Sequence, residues 1–491
     1  MEELGYPSRG IGHVDSARHS MDTLTTHSSL AAAGHRSSRE ICALVVIWCG
    51  EQPDRVGEVL LPDPEREPDE GWVFGRGGSP RQGDGRLALV RQRCGANQPR
   101  EPLALPRLSE NQLRIRCAEG SALQLSNLGR RTLLINGVEV KRSRKVSEAD
   151  IVELRGQIMF VVARRPVELP ALELPTELSP AFGRPDAFGM LGESPPAWML
   201  RGQLAFAAQR DVHVLIQGPS GVGKELVAQA IHGLSARAQH PLVARNAATL
   251  PDALIDAELF GNLRDYPNPG MPERPGLIGA AAKGSLMLDE IGELSHDLQA
   301  HLLRVLDDGE YQRLGEAVTR KADLRLIAAT NRPLTELKHD LAARLRLRVA
   351  VPALDSRRED IGLLIPHLIR RMAVEDHLLS RRFFVDGDPS GHPRVGSALV
   401  RALVSRSYPA NVRELDGALW SAMMHSVVSG HDEVRHVELE PVSEVEPSAL
   451  SREQIELALS HADGVQDRAW RLLGLRNRYQ LIRLVKKHGI A

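Results

Sequence analysis

The sequence predicts a multidomain protein in which a β-sandwich is followed by an α/β domain with a helical extension and then by an all-α domain. Short β-type runs such as "ALVVIW", "TLLING" and "IMFVVA", separated by turn residues, fill the segment from 41 to 165. Apolar strands alternate with helical stretches from about 188 to 354, which is typical of a parallel sheet. Helical patterns dominate the rest of the chain.

These patterns also set the expected domain boundaries. The predicted segments are a disordered arm at 1–38, the sandwich at 39–165, a proline-rich linker at 166–187, the α/β core at 188–355, its helical lid at 356–432, a second linker at 433–448 and the terminal helical domain at 449–491. The arm is polar and has no secretory signal pattern. The alternative interpretation is that these residues are upstream sequence that is not part of the natural protein.

Composition narrows the possible partners. The formal net charge is -1, so any contact with nucleic acid requires a local basic patch. Only 4% of residues are aromatic, which argues against a base-stacking RNA surface. The longest apolar run, Ile41 to Cys49, is too short for a bilayer and indicates a buried strand rather than a membrane anchor. The four cysteines lack metal-ligand spacing and are expected to be free thiols in a cytoplasmic protein.

A glycine-rich loop between a strand and a helix, "VHVLIQGPSGVGKELVAQAIH", predicts a phosphate-binding site. Its glycines allow main-chain N–H groups to surround phosphates at the positive end of the helix, and Lys224 would reach the β and γ phosphates. The generic pattern places Ser or Thr where this chain has Glu225. The predicted contacts are Gly218, Pro219, Ser220, Gly221, Val222, Gly223, Lys224 and Glu225.

A second element, "GSLMLDE", is an apolar strand that ends in two acids. Asp289 can hold Mg²⁺ through water, and Glu290 can polarise an attacking water molecule. A strand ending in acids behind a phosphate loop indicates ATP or a close analogue as the ligand, with Mg²⁺ as its metal ion.

Several motifs in order carry a resemblance to a known family. "GPSGVGKELVAQAIHGLSAR", "ELFG", "GSLMLDEIGELSHDLQAHLLRVLDDGEYQRLGE", "DLRLIAATNRPL" and "YPANVREL" resemble the AAA+ module of bacterial enhancer-binding regulators, which activate sigma-54 RNA polymerase. The resemblance runs from about 189 to 421 and includes the Lys-Glu end of the phosphate loop. It implies a P-loop ATPase with a helical lid that assembles into a ring, expected to be a hexamer.

The resemblance also implies roles for individual residues. Thr330 and Asn331 match sensor I, and Arg413 matches the sensor II arginine of the lid. Asn246 matches the asparagine that holds the catalytic Glu290. Arg344 matches an arginine offered to the neighbouring subunit's nucleotide, although a solvated helix charge is the alternative. A second such arginine aligns with Lys338, whose ammonium group cannot make the planar two-pronged contact of guanidinium.

The hexapeptide "DYPNPG" at 265–270 replaces the family's "GAFTGA" without a change in length, since "RPGL" resumes in register. The family loop uses glycine hinges and a Phe-Thr tip that touches sigma-54. Here the hinge positions carry Asp265 and Pro269, and the tip has become Pro267-Asn268. Because proline fixes φ and restrains the residue before it, this degenerate loop argues against the usual contact with sigma-54.

The amino-terminal segments "GWVFGRGGSP", "LSENQLRI" and "NLGRRTLLINGVEV" resemble a forkhead-associated (FHA) domain, a sandwich that binds phosphothreonine. The resemblance assigns phosphopeptide binding to Arg76 and Ser109, since arginine offers charge-assisted hydrogen bonds to phosphate. Gln112 replaces the usual structural histidine, and the usual Asn-Gly-Thr is absent. Arg131 or Arg130 could substitute for the missing contact; alternatively both are solvated loop arginines.

The carboxy-terminal pattern is helix, helix, tight glycine turn, helix, which is helix-turn-helix spacing. Its Arg and Lys residues between 468 and 487 form the local basic patch that phosphate contact requires. It resembles the Fis-type helix-turn-helix of enhancer-binding regulators; a three-helix dimerisation unit is the alternative. The predicted DNA contacts are Arg476, Arg478, Tyr479 and Arg483.

Together these features predict a cytoplasmic, ATP-binding transcriptional regulator of the sigma-54 interaction-domain family. A phosphothreonine-sensing domain would gate it, ATP hydrolysis would serve a regulatory role, and the tail would bind DNA upstream of a promoter. Its expected partners are DNA, a phosphothreonine protein, RNA polymerase and further copies of itself, with no membrane. Two alternatives stay open: an active sigma-54-dependent activator with a variant loop, and a phospho-dependent scaffold whose assembly ATP controls.

Overall fold

The computed structural model describes residues 39–77, 85–119, 121–249 and 254–435, with a few single helical positions between 452 and 488. The predicted arm at 1–38 lies outside the described residues. So do the proposed DNA contacts Arg476, Arg478, Tyr479 and Arg483, and nearly all of the predicted helix-turn-helix. No helix in the described part of the chain is both long and apolar enough to span a bilayer.

The amino-terminal domain consists of two antiparallel sheets. Its strands are β1 Glu40–Cys49, β2 Val59–Leu60, β3 Trp72–Phe74, β4 Val90–Arg93, β5 Ala96–Pro99, β6 Leu113–Ala118, β7 Ala122–Asn127, β8 Leu133–Ile135, β9 Val138–Glu139, β10 Ser143–Val146, β11 Ile151–Leu154 and β12 Ile158–Pro166. One sheet has the order β5-β4-β2-β1-β12-β11-β8-β9, and the other has the order β10-β7-β6-β3. The amino-terminal region is therefore a strand-rich domain of two sheets, with a hydrophobic core between them.

Strand β1 is apolar from Ile41 to Cys49 because both of its faces are covered. Leu44 and Val46 point into the core between the two sheets, whereas Val45 and Ile47 belong to a core shared with the carboxy-terminal helices. Successive side chains of a strand alternate between its faces. The continuous apolar run is thus a strand between two cores, and the prediction of a buried strand is confirmed.

The predicted linker at 166–187 has no strand or α-helix after Pro166, the last residue of β12, but it is bound to the domains on both sides. Leu169 and Leu178 are buried. The side chain of Gln92 donates to the carbonyl of Pro166 at 2.8 Å, and Arg201 pairs with the fully buried Asp186 at 3.1 Å. Proline-rich composition indicated a connector, but it gave no sign of this packing.

The α/β domain and its lid follow in chain order. Its helices and strands are α1 Pro195–Ala208, β13 Val214–Gln217, α2 Lys224–Gly233, β14 Leu242–Asn246, α3 Ile255–Phe260, α4 Gly276–Ala280, β15 Ser285–Asp289, α5 His296–Asp308, β16 Glu310–Tyr311, β17 Arg320–Lys321, β18 Arg325–Thr330, α6 His339–Arg344, β19 Leu347–Ala350, α7 Ile361–Glu375, α8 His377–Phe383, α9 Ser397–Ser405 and α10 Asn411–Val428. The main sheet has the parallel order β14-β15-β18-β13-β19. Because the strands are parallel, the residues that follow β13, β15 and β18 meet at one edge.

The helical lid packs against the outer face of the sandwich. The indole of Trp48 donates to the carbonyl of Val395 at 2.9 Å. Gly362 lies so close to β1 that a Cβ there would be 2.6 Å from the carbonyl oxygen of Ile47. Two ion pairs cross the same interface, Arg165 with Glu359 at 2.9 Å and Arg401 with Glu153 at 2.8 Å. The amino-terminal domain and the lid therefore share one core.

Candidate nucleotide site

The glycine-rich loop runs from β13 into α2 as the sequence predicts. Gly221 and Gly223 adopt φ values of 76° and 98°, a region that favours glycine. Lys224, which opens α2, is only 7% exposed, and its ammonium donates to the carbonyl of Gly218 at 3.1 Å. A buried ammonium at the amino end of a helix provides an anion-binding position.

The two acids stand at the end of the neighbouring strand β15. Asp289 accepts a hydrogen bond from the main-chain N–H of Glu290 at 2.9 Å. Glu290 has a φ of 53°, which is uncommon for a residue other than glycine and is a form of strain found at functional sites. One of its carboxylate oxygens lies 3.7 Å from the ammonium of Lys224. Its other oxygen is buried without a hydrogen-bond partner within the described structure, so it is available to a ligand.

The start of α10 contacts the phosphate loop from the lid side. Asn411 donates from its amide to the carbonyl of Ser220 at 2.9 Å, and its amide oxygen accepts from the N–H of Leu354 at 2.8 Å. Arg413 donates to the hydroxyl of Ser220 at 3.3 Å. A Cβ on Gly221 would be 2.2 Å from the carbonyl oxygen of the residue before Asn411. Asn411, part of the "YPANVREL" motif, was not singled out by sequence reasoning.

These elements enclose a cleft of about 520 Å³. Of the residues predicted to bind nucleotide or act on it, Ser220, Gly221, Val222, Gly223, Lys224, Glu225, Asn246, Asp289, Glu290 and Arg413 line it. The predicted contacts Gly218 and Pro219 do not line it, and neither does Asn331, which is exposed. Arg357 and His367 line the cleft although the sequence did not identify them; burial lowers the pKa of Arg357, and burial followed by Arg370 lowers that of His367.

The predicted hydrogen bond between Asn246 and Glu290 is not present. The amide oxygen of Asn246 instead accepts from the N–H of Ala248 at 2.9 Å, and Glu290 is paired with Lys224. The reason is local: a short turn follows β14 at once, and Asn246 caps it. Both side chains still line the same cleft.

Arg344 lies away from the cleft of its own chain. It is half exposed and pairs with Asp307, donating at 3.0 Å. Lys338 stands just before α6, where its N–H donates to the side chain of Gln299 at 3.0 Å. An arginine in this position can reach a nucleotide only in a neighbouring subunit, so its role stays a prediction.

The donor set fits magnesium held mainly by a nucleotide. Within the described ranges, no three His, Cys, Asp or Glu residues are grouped as a metal site. Of the carboxylates that line the cleft, those of Asp289 and Glu290 stand at the end of β15, and Glu290 lies beside Lys224 of the phosphate loop. Mg²⁺ is commonly bound by one or two carboxylates together with phosphate oxygens and water, which matches Asp289 acting through water.

The residues predicted to bind a phosphopeptide meet at one edge of the sandwich. The N–H of Arg76 donates to the carbonyl of Ser109 at 2.9 Å, and the hydroxyl of Ser109 accepts from the N–H of Arg130 at 3.0 Å. The side chain of Arg131 donates to a main-chain carbonyl at 2.9 Å. Gln112, which is fully buried, bonds to the carbonyl of Arg131 at 3.0 Å and so supports the loop.

The hexapeptide at 265–270 forms a closed exposed loop. The N–H of Asp265 donates to the carbonyl of Met271 at 2.8 Å, and the carboxylate of Asp265 accepts from the N–H of Gly270 at 2.8 Å. Asp265 has a φ of 60°, so it retains a conformation that favours glycine. The fully buried Asn262 closes the neck by donating to two main-chain carbonyls at 2.8 and 2.9 Å.

A glycine-rich loop, two acids on the next strand and a lid that contacts the loop define a P-loop protein with a helical lid. The family model described as the sigma-54 interaction domain matches residues 190–353. The transcriptional regulatory protein ZraR of Salmonella typhimurium is 35% identical over 313 residues, which cover 60% of this chain and 68% of ZraR. The chain therefore belongs to the family of sigma-54-dependent transcriptional regulators.

Two further proteins are similar to this chain. The Nif-specific regulatory protein of Klebsiella pneumoniae is 35% identical over 348 residues, which cover 66% of this chain and 63% of that protein. NtrX from Brucella abortus, whose structure was solved in complex with ATP, is 30% identical in sequence. The match covers 61% of this chain and 69% of the NtrX chain, with a TM-score of 0.46.

Proposed function

We propose that the chain binds ATP with Mg²⁺ and hydrolyses it to control transcription from a DNA site. The observation that carries this proposal is the convergence of Lys224, Glu290 and Arg413 on one cleft. Lys224 supplies the positive charge for the β and γ phosphates, and Arg413 supplies a second charge from the lid. Closure of the lid would place this charge over the γ phosphate.

The residues of the cleft divide the work of hydrolysis. Asp289 would hold Mg²⁺ through water, and the ion would offset the charge that develops on the phosphates. Glu290 would accept a hydrogen bond from the attacking water, using the carboxylate oxygen that has no partner among the described residues. Before ATP binds, Lys224 occupies the other oxygen. Phosphate would draw Lys224 away and free the carboxylate.

Two variants test this division. Lys224→Ala should weaken the binding of a fluorescent ATP analogue by at least about tenfold, since it removes a charge-assisted contact. Glu290→Gln should bind the analogue normally but lose roughly 100-fold or more of ATP hydrolysis. Equal loss of binding in both variants would contradict the assigned roles.

We further propose that the chain does not make the family's usual contact with sigma-54. The support is the loop at 265–270, which is closed by its own hydrogen bonds and carries proline at a hinge position. Tyr266 also packs on the loop's base, where a Cβ on Gly315 would lie 2.6 Å from its ring. A mobile glycine-hinged tip has thus been replaced by a folded one.

Transcription in vitro with sigma-54 holoenzyme tests this proposal. The natural chain should hydrolyse ATP yet form no open complexes, whereas a chain carrying "GAFTGA" at 265–270 should form them. ATP-dependent open complexes with the natural loop would favour the alternative, an active regulator with a variant loop.

Phosphothreonine binding at Arg76 and Ser109 is proposed as the signal input. Support comes from the meeting of Arg76, Ser109, Arg130 and Arg131 at one edge, where arginine can bind phosphate. A phosphothreonine peptide library should be bound and its unphosphorylated counterpart should not. Ser109→Ala should abolish binding, while Lys145→Gln, an exposed change on β10, should leave it intact. Equal binding of both peptides would exclude the proposal.

DNA binding by the segment 449–491 is proposed from its sequence pattern. Deletion of this segment should abolish the retention of promoter DNA while ATP hydrolysis persists. Unchanged DNA retention after the deletion would place DNA binding elsewhere in the chain, whereas no specific retention of promoter DNA by the full-length chain would favour the scaffold alternative, in which ATP controls assembly alone.

A further inference from the structure

A second cavity lies at the interface between the sandwich and the lid. Its volume is about 490 Å³, which is within the range of sites for small organic ligands, and such sites are frequent between domains. Trp48 forms part of the wall from β1, Phe182 contributes from the linker, and Pro366 contributes from α7. The cavity therefore has walls from three parts of the chain and does not overlap the phosphate loop.

The charge in this cavity is positive and unbalanced. Arg184, Arg370 and Arg394 line it, and no carboxylate within the described ranges forms an ion pair with any of them. Arg370 donates to two main-chain carbonyls at 3.0 and 2.9 Å. Of the two acids of the wall, Asp54 is hydrogen-bonded to the ring of His392 at 2.9 Å, and Glu433 forms an ion pair with Arg435 at 3.3 Å.

This arrangement costs free energy that a ligand could recover. Burial, followed by the repulsion of Arg184, lowers the pKa of Arg370, so the guanidinium is held where its charge is disfavoured. An anion placed between the two arginines would supply the missing counter-charge. The aromatic and aliphatic walls would at the same time accept an apolar body.

Helix α7 separates this cavity from the nucleotide cleft. Leu363 and Arg370 face the cavity, whereas Leu364 and Arg371 line the cleft. His367 lines both. A ligand in the cavity would therefore touch the helix that forms one wall of the nucleotide site. A ligand-induced shift of α7 would also move the residues of α7 that line the nucleotide cleft.

We propose that this cavity binds a small organic anion, an aromatic or aliphatic carboxylate or phosphate, and that α7 couples its occupancy to the nucleotide cleft. The site is distinct from the phosphopeptide edge and the loop at 265–270. The binding part stands without any assumption about ATP; only the coupling part rests on nucleotide binding in the cleft.

The fluorescent aromatic sulfonate 8-anilinonaphthalene-1-sulfonate is a suitable probe for the full-length chain without nucleotide. It should bind at one site per chain, and N-phenyl-1-naphthylamine, which has a similar ring system but no sulfonate, should bind about tenfold more weakly. Displacement by 1-naphthoate or by 1-naphthyl phosphate distinguishes a carboxylate from a phosphate site. Equal binding of the charged and neutral probes would overturn the proposal.

Three variants locate the probe. Arg184→Gln and Arg370→Gln should each weaken the sulfonate by about tenfold, and Val385→Trp, at a wall position that is 60% exposed, should block entry. Arg184 is exposed, so its change tests the site even if loss of Arg370 disturbs the fold. Arg381→Gln, an exposed change on α8 outside the cavity, is the control. Unchanged binding in Arg184→Gln and Val385→Trp would place the probe elsewhere and sink the assignment.

Coupling is measured by repeating the titration with saturating ADP. Since linkage is reciprocal, the affinity for the probe should change by at least about threefold with ADP, and the affinity for ADP should change by the same factor with the probe. Failure of ADP to bind would refute the proposed nucleotide site while leaving the probe experiment valid. Binding of both ligands with no mutual effect would refute the coupling.

Discussion

Replacement of Gly362 by alanine tests whether the sandwich and the lid are joined as tightly as their shared core implies. Alanine normally stabilises a helix relative to glycine, by up to about 1 kcal/mol. Here the added Cβ would stand 2.6 Å from the carbonyl oxygen and 2.8 Å from the Cα of Ile47. Both are main-chain atoms, so no side-chain rotation can relieve the contact.

The expected effect is therefore opposite in sign to the usual one. Overpacking of a well-packed interface costs about 1–3 kcal/mol. The upper part of that range applies because α7 or β1 must move as a unit. After the gain in helix propensity is subtracted, Gly362→Ala should destabilise the docked state by about 2 kcal/mol.

Hydrogen exchange measured by mass spectrometry provides the assay. Peptides covering 41–49 and 361–375 should exchange faster in Gly362→Ala, whereas peptides from the four-stranded sheet should not change. Gly417→Ala is the matched control, because it lies in α10 with no atom within 4 Å of the added Cβ, and it should be stabilising by up to about 1 kcal/mol. Equal stabilisation by both changes would show that the contact between Gly362 and β1 is not maintained.

Three further outcomes are expected. Burial raises the pKa of Glu359 to about 7, above that of a carboxyl group in the unfolded chain. The stabilisation of the folded state by the protonated Glu359 side chain is therefore complete below about pH 4.5 and is lost as the pH rises through 7. The free energy of unfolding, measured in urea between pH 5 and 8, should show this decline, and Glu359→Gln should flatten it. Asn411→Ala removes the hydrogen bond to the loop at Ser220 and should weaken ADP binding by roughly tenfold, while an unchanged affinity would exclude a role in holding the loop. Arg344→Ala should leave ADP affinity unchanged but lower ATP hydrolysis at protein concentrations where rings form. Hydrolysis should return when this variant is mixed with Lys224→Ala chains, which supply Arg344 to the neighbouring nucleotide site. No recovery on mixing would contradict the action of Arg344 across a subunit boundary.

Much of the nucleotide site was predictable because its residues are close in sequence. The loop from Gly218 to Glu225 is a continuous segment whose glycines are required by its own main-chain conformation. Asp289 ends an apolar strand and was found by that pattern alone. These signals are local, and the sheet order brings them together as parallel strands require.

The contacts made over long distances in the chain were not predictable. Trp48 and Val395 form a hydrogen bond although 347 positions separate them. Nothing in the sequence pattern around either residue indicates that the two segments are in contact. The same holds for the cavity, whose walls come from three parts of the chain. The hydrogen bond of Asn246 was not predictable for a different reason, since a family motif records which residue is present but not that its amide oxygen accepts from the nearby N–H of Ala248.

The two-sided burial of β1 has a consequence for how such proteins can be recombined. A chain that lost residues 39–165 would leave the apolar surface of α7 and α9 exposed to water, and large exposed apolar surfaces favour aggregation. Exchange of the amino-terminal domain for an unrelated domain would therefore succeed only if the replacement also supplied an apolar strand to cover the lid. In this protein the amino-terminal domain shares its core with the helical lid, and the two must be inherited together.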